Sequence, residues 1–325
     1  MSSVRSIALS CAGGAAGIAA VELLRSSTGL RLVAFDNDRN SYVQEIADEF
    51  HVFDIGVDDA GYGRRLLESV VEAGAGVLLP FHSGELGHID AMRDEFAERQ
   101  VKWPAPLLGA ATVLRDKLRL YEELERSGVP VPAYAPCSER RAFPGDRVVF
   151  KPREGGGSRG LAFGAPGGSI PADAFSDGPS AYLEQVAVDG TEVSMDGVVL
   201  ISGEVVGPIA RVRVAVRGGL AIVSEAIDLG QEGDELFRAV AASCGVRGPL
   251  NVQAFLSNNQ LVGVTDVNPR FPAGGMPLAA QLGLNMPLTV VRDLLGEGEQ
   301  ERPVPGSFRR LRHYKKWCDV FTDLQ

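Results

Sequence analysis

The chain has 325 residues, enough for two or three compact units with substantial cores, so a small domain held together by disulfides is excluded. Hydrophobic residues make up 45% and charged residues 23%, and no apolar run approaches the length of a membrane span. The net charge of −10 repels polyanions and argues against a nucleic-acid partner. The cysteines, which predict free thiols and a cytoplasmic protein, are Cys11, Cys137, Cys244 and Cys318.

Between residues 6 and about 100, short apolar runs alternate with amphipathic stretches, which predicts a parallel sheet built from βα units. The predicted strands are 7–10, 32–35 and 77–80, with helices from Gly17, near Val43 and over 66–73. In such a sheet the loops that follow the strands carry ligand-binding groups. In the loop at 81–85, Ser83 and Glu85 are therefore candidates for substrate contact, with a capping turn as the alternative.

Prolines in the segment 101–109 predict a linker and a domain boundary near 105. An amphipathic helix is predicted over 110–127, followed by a strand at 147–150 and a glycine-rich loop at 155–160. This loop is not a Walker P-loop, because Lys151 precedes it and no G-x-x-x-x-G-K-[ST] pattern is present. Its glycines would let backbone N–H groups approach phosphate oxygens, although a plain surface loop is the alternative.

The second half of the chain is predicted to be mostly β-structure. A β-region spans 182–226, a helix covers 234–243, and strands at 250–256 and 261–268 flank a turn at 257–260. Helices follow around 278–282 and 288–295. The basic stretch at 309–316 predicts a solvated final strand or tail, with a phosphate-binding patch as the alternative.

A candidate metal site lies on the pair of strands around residue 260. Asp266 and Asn268 are two residues apart and point to the same side of one strand, and an antiparallel partner can bring Gln253 beside them. Oxygen ligands of this kind suit Mg²⁺, and Arg270 adds a guanidinium nearby. The alternative is an exposed polar face on a two-stranded ribbon.

The order of these elements resembles the ATP-grasp superfamily, most closely the ATP-binding unit of the carbamoyl phosphate synthetase large chain and related carboxylate-amine ligases. The resemblance covers about 105 to 295 and rests on Asp116-Lys117, Phe150-Lys151-Pro152, 184–186 with Glu192, Asn251-Val252-Gln253 and 266–270. It implies a mixed α/β and α+β architecture. An N-terminal parallel βα pre-ATP-grasp domain, 1–105, would precede a two-lobed ATP-grasp fold. Its lobes would be 106–183, with the glycine-rich loop, and 184–325, with the Mg²⁺-binding hairpin.

The resemblance also implies a role for each matching residue. The residues that it places around ATP are Lys117, Lys151, Gly156, Gly157, Ser158, Glu184, Gln185, Val186 and Glu192. Within this set the lysines would contact phosphates, the backbone at 184–186 the adenine, and Glu192 the ribose. Gln253, Asp266 and Asn268 would hold Mg²⁺ or Mn²⁺. Arg270 and Lys151 would act on the transferring phosphoryl group.

The resemblance implies a reaction in two steps. ATP converts a carboxylate into an acyl phosphate and leaves as ADP, and an amine then attacks the acyl phosphate and releases phosphate. Arg211 and Arg213 alternate on one strand face and are candidate carboxylate contacts, with exposed strand arginines as the alternative. Small-molecule substrates and a homodimer are expected. The competing functions are a carboxylate or carbamate kinase, a carboxylating variant, and a non-catalytic ATP-binding regulatory protein.

Overall fold

The computed structural model describes residues 6–139, 143, 145–155, 160–166, 178–217, 220–297 and 310–315. Three β-sheets organise these residues, and they follow one another along the chain. The first is parallel and the other two are antiparallel, so the predicted mixture of α/β and α+β architecture is confirmed. The predicted domain limits at 105 and 183 stay predictions. None of the helices in the described part of the chain has the length and apolar character needed to cross a membrane.

The first sheet has four parallel strands in the order β3-β2-β1-β4. Its strands are β1 Ser6–Ser10, β2 Arg31–Asp36, β3 Glu49–Val52 and β4 Val77–Pro80. Its helices are α1 Ala15–Arg25, α2 Val43–Ile46, α3 Tyr62–Glu72, α4 Glu85–Asp90 and α5 Arg93–Glu98. Every residue of β1 and β4 is buried, as expected of parallel strands that are covered on both faces. The prediction missed β3, whose short sequence mixes polar and apolar residues.

The predicted helix over 110–127 is wrong as a single element, because the chain breaks at Asp116. Helix α6, Ala110–Arg115, ends there, and α7, Lys117–Arg126, begins. Asp116 has an extended backbone, and its carboxylate accepts the N–H of Leu118 at 3.0 Å, an N-cap. The same carboxylate pairs with Arg153. The break makes Lys117 the first residue of a new helix.

The second sheet is antiparallel, with strand order β5-β8-β6-β7. Its strands are β5 Tyr134–Pro136, β6 Val148–Pro152, β7 Ala162–Gly164 and β8 Tyr182–Val186. A 3-10 turn, Pro179–Ala181, leads into β8. Strand β6 lies between β7 and β8, which places Lys151 near the centre of the sheet.

The third sheet has six strands in the order β13-β12-β9-β10-β11-β14. They are β9 Thr191–Val199, β10 Val205–Arg217, β11 Leu220–Ala226, β12 Gly248–Ser257, β13 Gln260–Asn268 and β14 Arg312–Tyr314. The accompanying helices are α8 Gly230–Ser243, α9 Met276–Gln281 and α10 Met286–Leu295. Strand β14 comes from the basic stretch and pairs with β11 at the sheet edge, as the final-strand interpretation predicts.

The two faces of this six-stranded sheet differ sharply in polarity, because side chains alternate along each strand. One face is apolar and packs against α7 and α8 through residues such as Met195, Val252 and Phe237. The other, which we call the polar face, carries Ser194, Asp196, Arg211, Arg213, Ser224, Asn251, Gln253, Asp266, Asn268 and His313. The candidate site is built on the polar face.

The loop after β13 joins the polar face to the first sheet. Phe271 in this loop stacks on Phe81, at the end of β4, with ring centroids 4.8 Å apart. Both rings belong to a core that includes residues of α1, α9 and α10. The carboxyl-end loops of the parallel sheet therefore approach the polar face. The cysteines of the described residues, Cys11, Cys137 and Cys244, are unpaired as predicted, and Cys318 lies outside these residues.

Candidate active site

A cavity of about 350 Å³ opens between the second sheet and the polar face. Its volume falls in the range of roughly 300–1,000 Å³ that is typical of small-molecule sites. Its walls include Lys117, Val149, Lys151, Leu161, Phe163, Gln185, Val186, Glu192, Arg213, Gln253, Phe255 and Asp266. The second sheet contributes Lys151 and apolar side chains such as Val149 and Phe163. The six-stranded sheet contributes Glu192, Arg213, Gln253 and Asp266.

Lys151 lies at the bottom of this cavity and is only 8% exposed. Its Nζ donates to Gln185 Oε1 at 2.6 Å and to the carbonyl of Thr265 at 3.1 Å. The hydroxyl of Tyr121 lies 3.4 Å away and itself donates to Thr265. Desolvation lowers the pKa of Lys151 to about 8, an effect that the charge of Asp266 partly opposes. The ammonium is thus fixed in place and directed at the cavity.

Lys117 reaches the cavity from the first turn of α7. Its Nζ donates to the carbonyl of Gly155 at 2.7 Å, at the start of the glycine-rich loop. Gly155 has a φ of 108°, which favours glycine. The predicted phosphate-binding residues Gly156, Gly157 and Ser158 lie outside the described residues.

Glu192 and Arg213 form an ion pair at the mouth of the cavity. Arg213 Nη1 donates to both carboxylate oxygens of Glu192 at 3.1 Å. Arg211, two residues earlier, faces the same side as predicted but has a different partner, Asp196. The alternative of exposed strand arginines is wrong for Arg211, which is 4% exposed. One arginine therefore belongs to the cavity and the other to a separate buried group.

The predicted metal ligands come together on β12 and β13. Gln253 stands opposite Asp266 in the strand register, and Asn251 stands opposite Asn268. Asn268 Nδ2 donates to Asp266 Oδ2 at 2.9 Å, which leaves the amide oxygen of Asn268 for a cation. In the described part of the chain no three His, Cys, Asp or Glu side chains cluster as a metal site. The oxygen atoms of one carboxylate and two amides, from Asp266, Gln253 and Asn268, fit a cation such as Mg²⁺, which takes its other ligands from phosphates and water.

A buried polar network continues from these ligands across the polar face. Asp196 accepts from Asn251 Nδ2 and from Arg211 Nε, each at 2.7 Å. Asp196 is fully buried, and Gly275 packs so closely on it that a Cβ there would overlap its carboxylate. Within the described part of the chain, the polar atoms of this region that are buried without a hydrogen-bond partner are Ser194 Oγ, Arg211 Nη1, Ser224 Oγ and His313 Nδ1. Such groups are rare in proteins, and together they indicate a place for a polar ligand.

Arg270 lies between this network and the predicted metal ligands Gln253, Asp266 and Asn268. Its Nη1 donates to the carbonyl of Phe271 at 3.1 Å. Desolvation lowers its pKa, and the charges of Asp266 and Asp196 act in the opposite direction. The half-buried Arg270 and the buried Arg211 therefore both lie next to the predicted metal ligands.

Residues 181–316 match the family described as "ATP-grasp in the biosynthetic pathway with Ter operon". Solved ATP-dependent enzymes match most of the chain. The biotin carboxylase domain dimer of a Hydrogenobacter thermophilus 2-oxoglutarate carboxylase, bound to MgADP, ADP and bicarbonate, has a TM-score of 0.71 at 17% identity, over 90% of this chain and 70% of that one. The chain has the ATP-grasp fold.

Two further structures give the same result. The N5-carboxyaminoimidazole synthetase of Staphylococcus aureus, in complex with ADP, has a TM-score of 0.70 at 17% identity, covering 91% of this chain and 79% of that one. The carboxyaminoimidazole ribonucleotide synthase of Aspergillus clavatus, in complex with ATP, has a TM-score of 0.72 at 17% identity, covering 92% of this chain and 79% of that one. A comparison with curated proteins finds no match.

Of the predicted adenine contact at 184–186, the structure places Gln185 and Val186 on the cavity but not Glu184. Strand β8 pairs with β5 on one side and β6 on the other, so its backbone groups are already used. The N–H of Val186 donates to the carbonyl of Ala133 at 2.8 Å, and Glu184 does not line the cavity. The chain lines the cavity from Gln185 to Asp189 as it leaves the sheet, and an adenine edge would meet the backbone there.

Ser83 and Glu85 lie in a turn at the start of α4. This matches the capping turn that the sequence offered as the alternative to substrate contact. Glu85 is fully buried, and its carboxylate accepts the N–H groups of Phe81 and His82 at 3.1 and 2.9 Å. Tyr62 also donates to it at 2.7 Å. A carboxylate with these partners stabilises the loop and is not open to a substrate.

Several residues of the site were not identified from the sequence as part of it. They are Tyr121, Thr265, Phe163, Asn251 in its side-chain role, Ser224 and His313. Asn251 could have been found, because it is two residues before Gln253 and so points to the same face. Tyr121 and His313 have no such local signal, because their neighbours in the site come from distant parts of the chain.

Proposed function

We propose that the protein is an ATP-dependent, Mg²⁺-requiring ligase that activates a carboxylate as an acyl phosphate and couples it to an amine. The observation that carries this proposal is the arrangement on the polar face. A nucleotide-sized cavity with two lysines, a set of Mg²⁺-type ligands and the two arginines Arg211 and Arg270 follow one another along it. Similar structures contain ADP, MgADP or ATP, which supports the assignment of the cavity.

In this proposal ATP occupies the cavity between the second sheet and the polar face. Lys117 and Lys151 bind phosphate oxygens. The carboxylate of Glu192 accepts hydrogen bonds from the ribose hydroxyls, and Arg213 holds this carboxylate in position. Leu161 and Phe163, which are 41% and 62% exposed, provide an apolar surface for the adenine ring. Burial of this surface would add to nucleotide affinity.

Gln253, Asp266 and Asn268 are the residues that would hold the metal ion, either Mg²⁺ or Mn²⁺. When bound, the ion neutralises charge on the phosphate oxygens during transfer. Asn268 positions the Asp266 carboxylate through its amide hydrogen bond. The buried Asp196 in turn orients Asn251, which stands opposite Asn268.

The chemical step that we propose needs no nucleophilic side chain. A carboxylate oxygen attacks the γ-phosphorus, the bond between that phosphorus and the β,γ-bridging oxygen breaks, and ADP leaves with the electron pair. Arg270 stabilises negative charge on the transferring group, and Arg211 Nη1 offers a buried donor for the carboxylate. Donors held in place before the reaction lower the barrier without reorganisation.

A carboxylating variant is the second candidate, because one similar structure contains bicarbonate beside MgADP. Bicarbonate would occupy the same place as the carboxylate, and carboxyphosphate would replace the acyl phosphate. A kinase that releases the acyl phosphate is distinguished by its product. A regulatory protein without activity would not need to retain Lys151, Asp266, Asn268 and Arg270 together.

A homodimer in the cytoplasm belongs to the same proposal. One similar structure is a dimer, and unpaired cysteines in the described part of the chain are compatible with a reducing compartment. Light scattering of the purified protein measures the oligomeric state directly.

The function is tested by measuring ADP release with Mg²⁺ in the presence of pooled carboxylates, bicarbonate and pooled amines. Mass spectrometry identifies the product, and hydroxylamine traps an acyl phosphate as its hydroxamate. A new amide supports the ligase, whereas a hydroxamate without any amide supports the kinase that releases the acyl phosphate. A new carboxylated product supports the second candidate, and nucleotide binding with no turnover in any pool contradicts both.

A further inference from the structure

Strand β14 places a histidine on the polar face at the edge farthest from the metal ligands. His313 stands opposite Ser224 of β11, and Ser224 stands opposite Arg213 of β10. The neighbours of His313, Arg312 and Tyr314, are exposed, so alternation directs the imidazole inward. The polar row of the sheet therefore runs from the nucleotide cavity to His313.

His313 Nδ1 is buried and finds no hydrogen-bond partner among the described residues, and the same is true of Ser224 Oγ beside it. Arg211 Nη1, on the adjacent strand of this face, is a third such atom. An imidazole that only filled space in the core would be expected to bond through this nitrogen or lie among apolar groups. Here the nitrogen lies among polar atoms that have no partner of their own.

The charged groups around His313 favour its neutral form. Desolvation lowers its pKa, and the charges of Lys315 and Arg211 lower it further. Helix α9, which packs near β14, has no titratable side chain, and Glu225 on β11 pairs with Arg312 on the opposite face. Glu22 faces Lys315 rather than the imidazole. A neutral imidazole can accept a proton, which a charged one cannot.

We propose that His313 is a catalytic base that takes the proton from the attacking amine, and this inference rests on the proposed function. The amine nitrogen forms a bond to the carbonyl carbon of the acyl phosphate, and the carbon–oxygen bond to the phosphoryl group breaks. Phosphate leaves with that electron pair. The proton lost by the nitrogen goes to His313 Nδ1 and then to solvent as the products leave.

The chemistry of amide formation explains why a base is needed there. An ammonium ion has no lone pair with which to attack the carbonyl carbon. The nucleophile must therefore be an uncharged amine, and the nitrogen must lose its proton as soon as the new bond makes it cationic. Water is poorly placed to take that proton in a buried region.

The test compares two nucleophiles in native protein and in the His313→Gln variant. The acid and amine are the pair identified by the product screen. Hydroxylamine replaces the amine in the second arm because it reacts with acyl phosphates without a catalyst, so hydroxamate formation reports the phosphoryl-transfer step alone. Loss of a general base costs about 10²-fold or more in rate. We expect amide formation at pH 7 to fall by about 100-fold and to recover as the pH rises, while hydroxamate formation stays within about twofold.

Tyr314→Phe is the matched control, because Tyr314 lies on the same strand and its side chain points to the opposite, exposed face. Both rates should match those of the native protein. Equal loss of amide and hydroxamate in His313→Gln would mean a structural or binding role and would overturn the inference, as would no loss of either. If native protein forms no hydroxamate, carboxylated product or amide, the proposed function fails first.

Discussion

The cavity and the rest of the polar face differ in how completely the protein satisfies its own polar groups. In the cavity, which we call the nucleotide half of the site, Lys151 has three internal partners and Glu192 has Arg213. In the second half, around Asp196 and His313, the described part of the chain gives no partner to one buried polar atom each of Ser194, Arg211, Ser224 and His313. The nucleotide half is therefore preorganised, whereas polar groups of a ligand would complete the second half. Under the proposed function, this difference separates ATP binding from substrate binding.

Breaking the buried ion pair between Arg211 and Asp196 should have the largest effect. Arg211→Met leaves Asp196 as a buried charge without its cation, so the free energy of unfolding should fall by about 3–5 kcal/mol. Urea unfolding followed by circular dichroism measures this. Arg217→Met on the same strand, where the side chain is exposed, is the control. Equal stability of the two variants would show that the pair is not needed to balance the charge.

Removing the metal carboxylate should abolish catalysis with little effect on folding. Asp266→Asn keeps the shape of the side chain but loses the charge, and we expect Mg²⁺-dependent ADP release to fall by about 10²–10³-fold. Val262→Thr, an exposed position on the same strand, should leave the rate unchanged. ADP release at the native rate from Asp266→Asn would rule out the assigned ligand set.

A substitution at Gly275 measures how tightly the loop after β13 packs on Asp196 and Arg211 of the polar face. Gly275→Ala would push a methyl group into the Asp196 carboxylate, so we expect a loss of about 1–3 kcal/mol in the free energy of unfolding. Gly29→Ala, where a Cβ meets nothing within 4 Å, is the matched control. Thermal unfolding of both variants compares them. A tolerated Gly275→Ala would mean that the loop can move away from the sheet.

The smallest effect concerns the pH dependence of the nucleotide half. The pKa of Lys151 is lowered to about 8, so the ammonium is present below that pH and is lost above it. ATP favours the charged form, so the Kd for ATP should rise by up to about tenfold per pH unit above 8. Conversely, folding stability should increase from about pH 8 to 10.5, because the unfolded chain still binds that proton.

Calorimetric titration with MgATP between pH 7 and 9.5 measures the slope of the Kd. Lys151→Met removes the titrating group, so its weaker binding should not vary with pH over this range. A native Kd that is independent of pH would contradict the assignment of Lys151 to the phosphates.

Much of the fold was predictable because its signals are local. The buried strands of the first sheet are short apolar runs, and the pairing of Gln253 with Asp266 follows from two strands that share one turn. The break at Asp116 was not predictable from periodicity, since an amphipathic pattern continues through it. The break depends on a contact with Arg153, which is 37 residues away in the sequence.

Which polar residues belong to the cavity was harder to predict, because this too depends on contacts between residues that are distant in the sequence. Arg211 and Arg213 have identical spacing and chemistry, and only their partners on β9 separate a cavity residue from a buried one. Likewise, His313 joins the site through the pairing of β14 with β11, which no local pattern indicates. Contacts between distant strands decide which polar residues meet.

Activation of a carboxylate by phosphoryl transfer leaves a trace that an oxygen label reveals. Once the screen identifies the acid, it is prepared with ¹⁸O at both carboxyl oxygens, and the released phosphate is analysed by mass spectrometry. An acyl phosphate transfers one carboxyl oxygen to phosphate, so we expect one ¹⁸O atom per phosphate. Unlabelled phosphate formed together with the amide would contradict it.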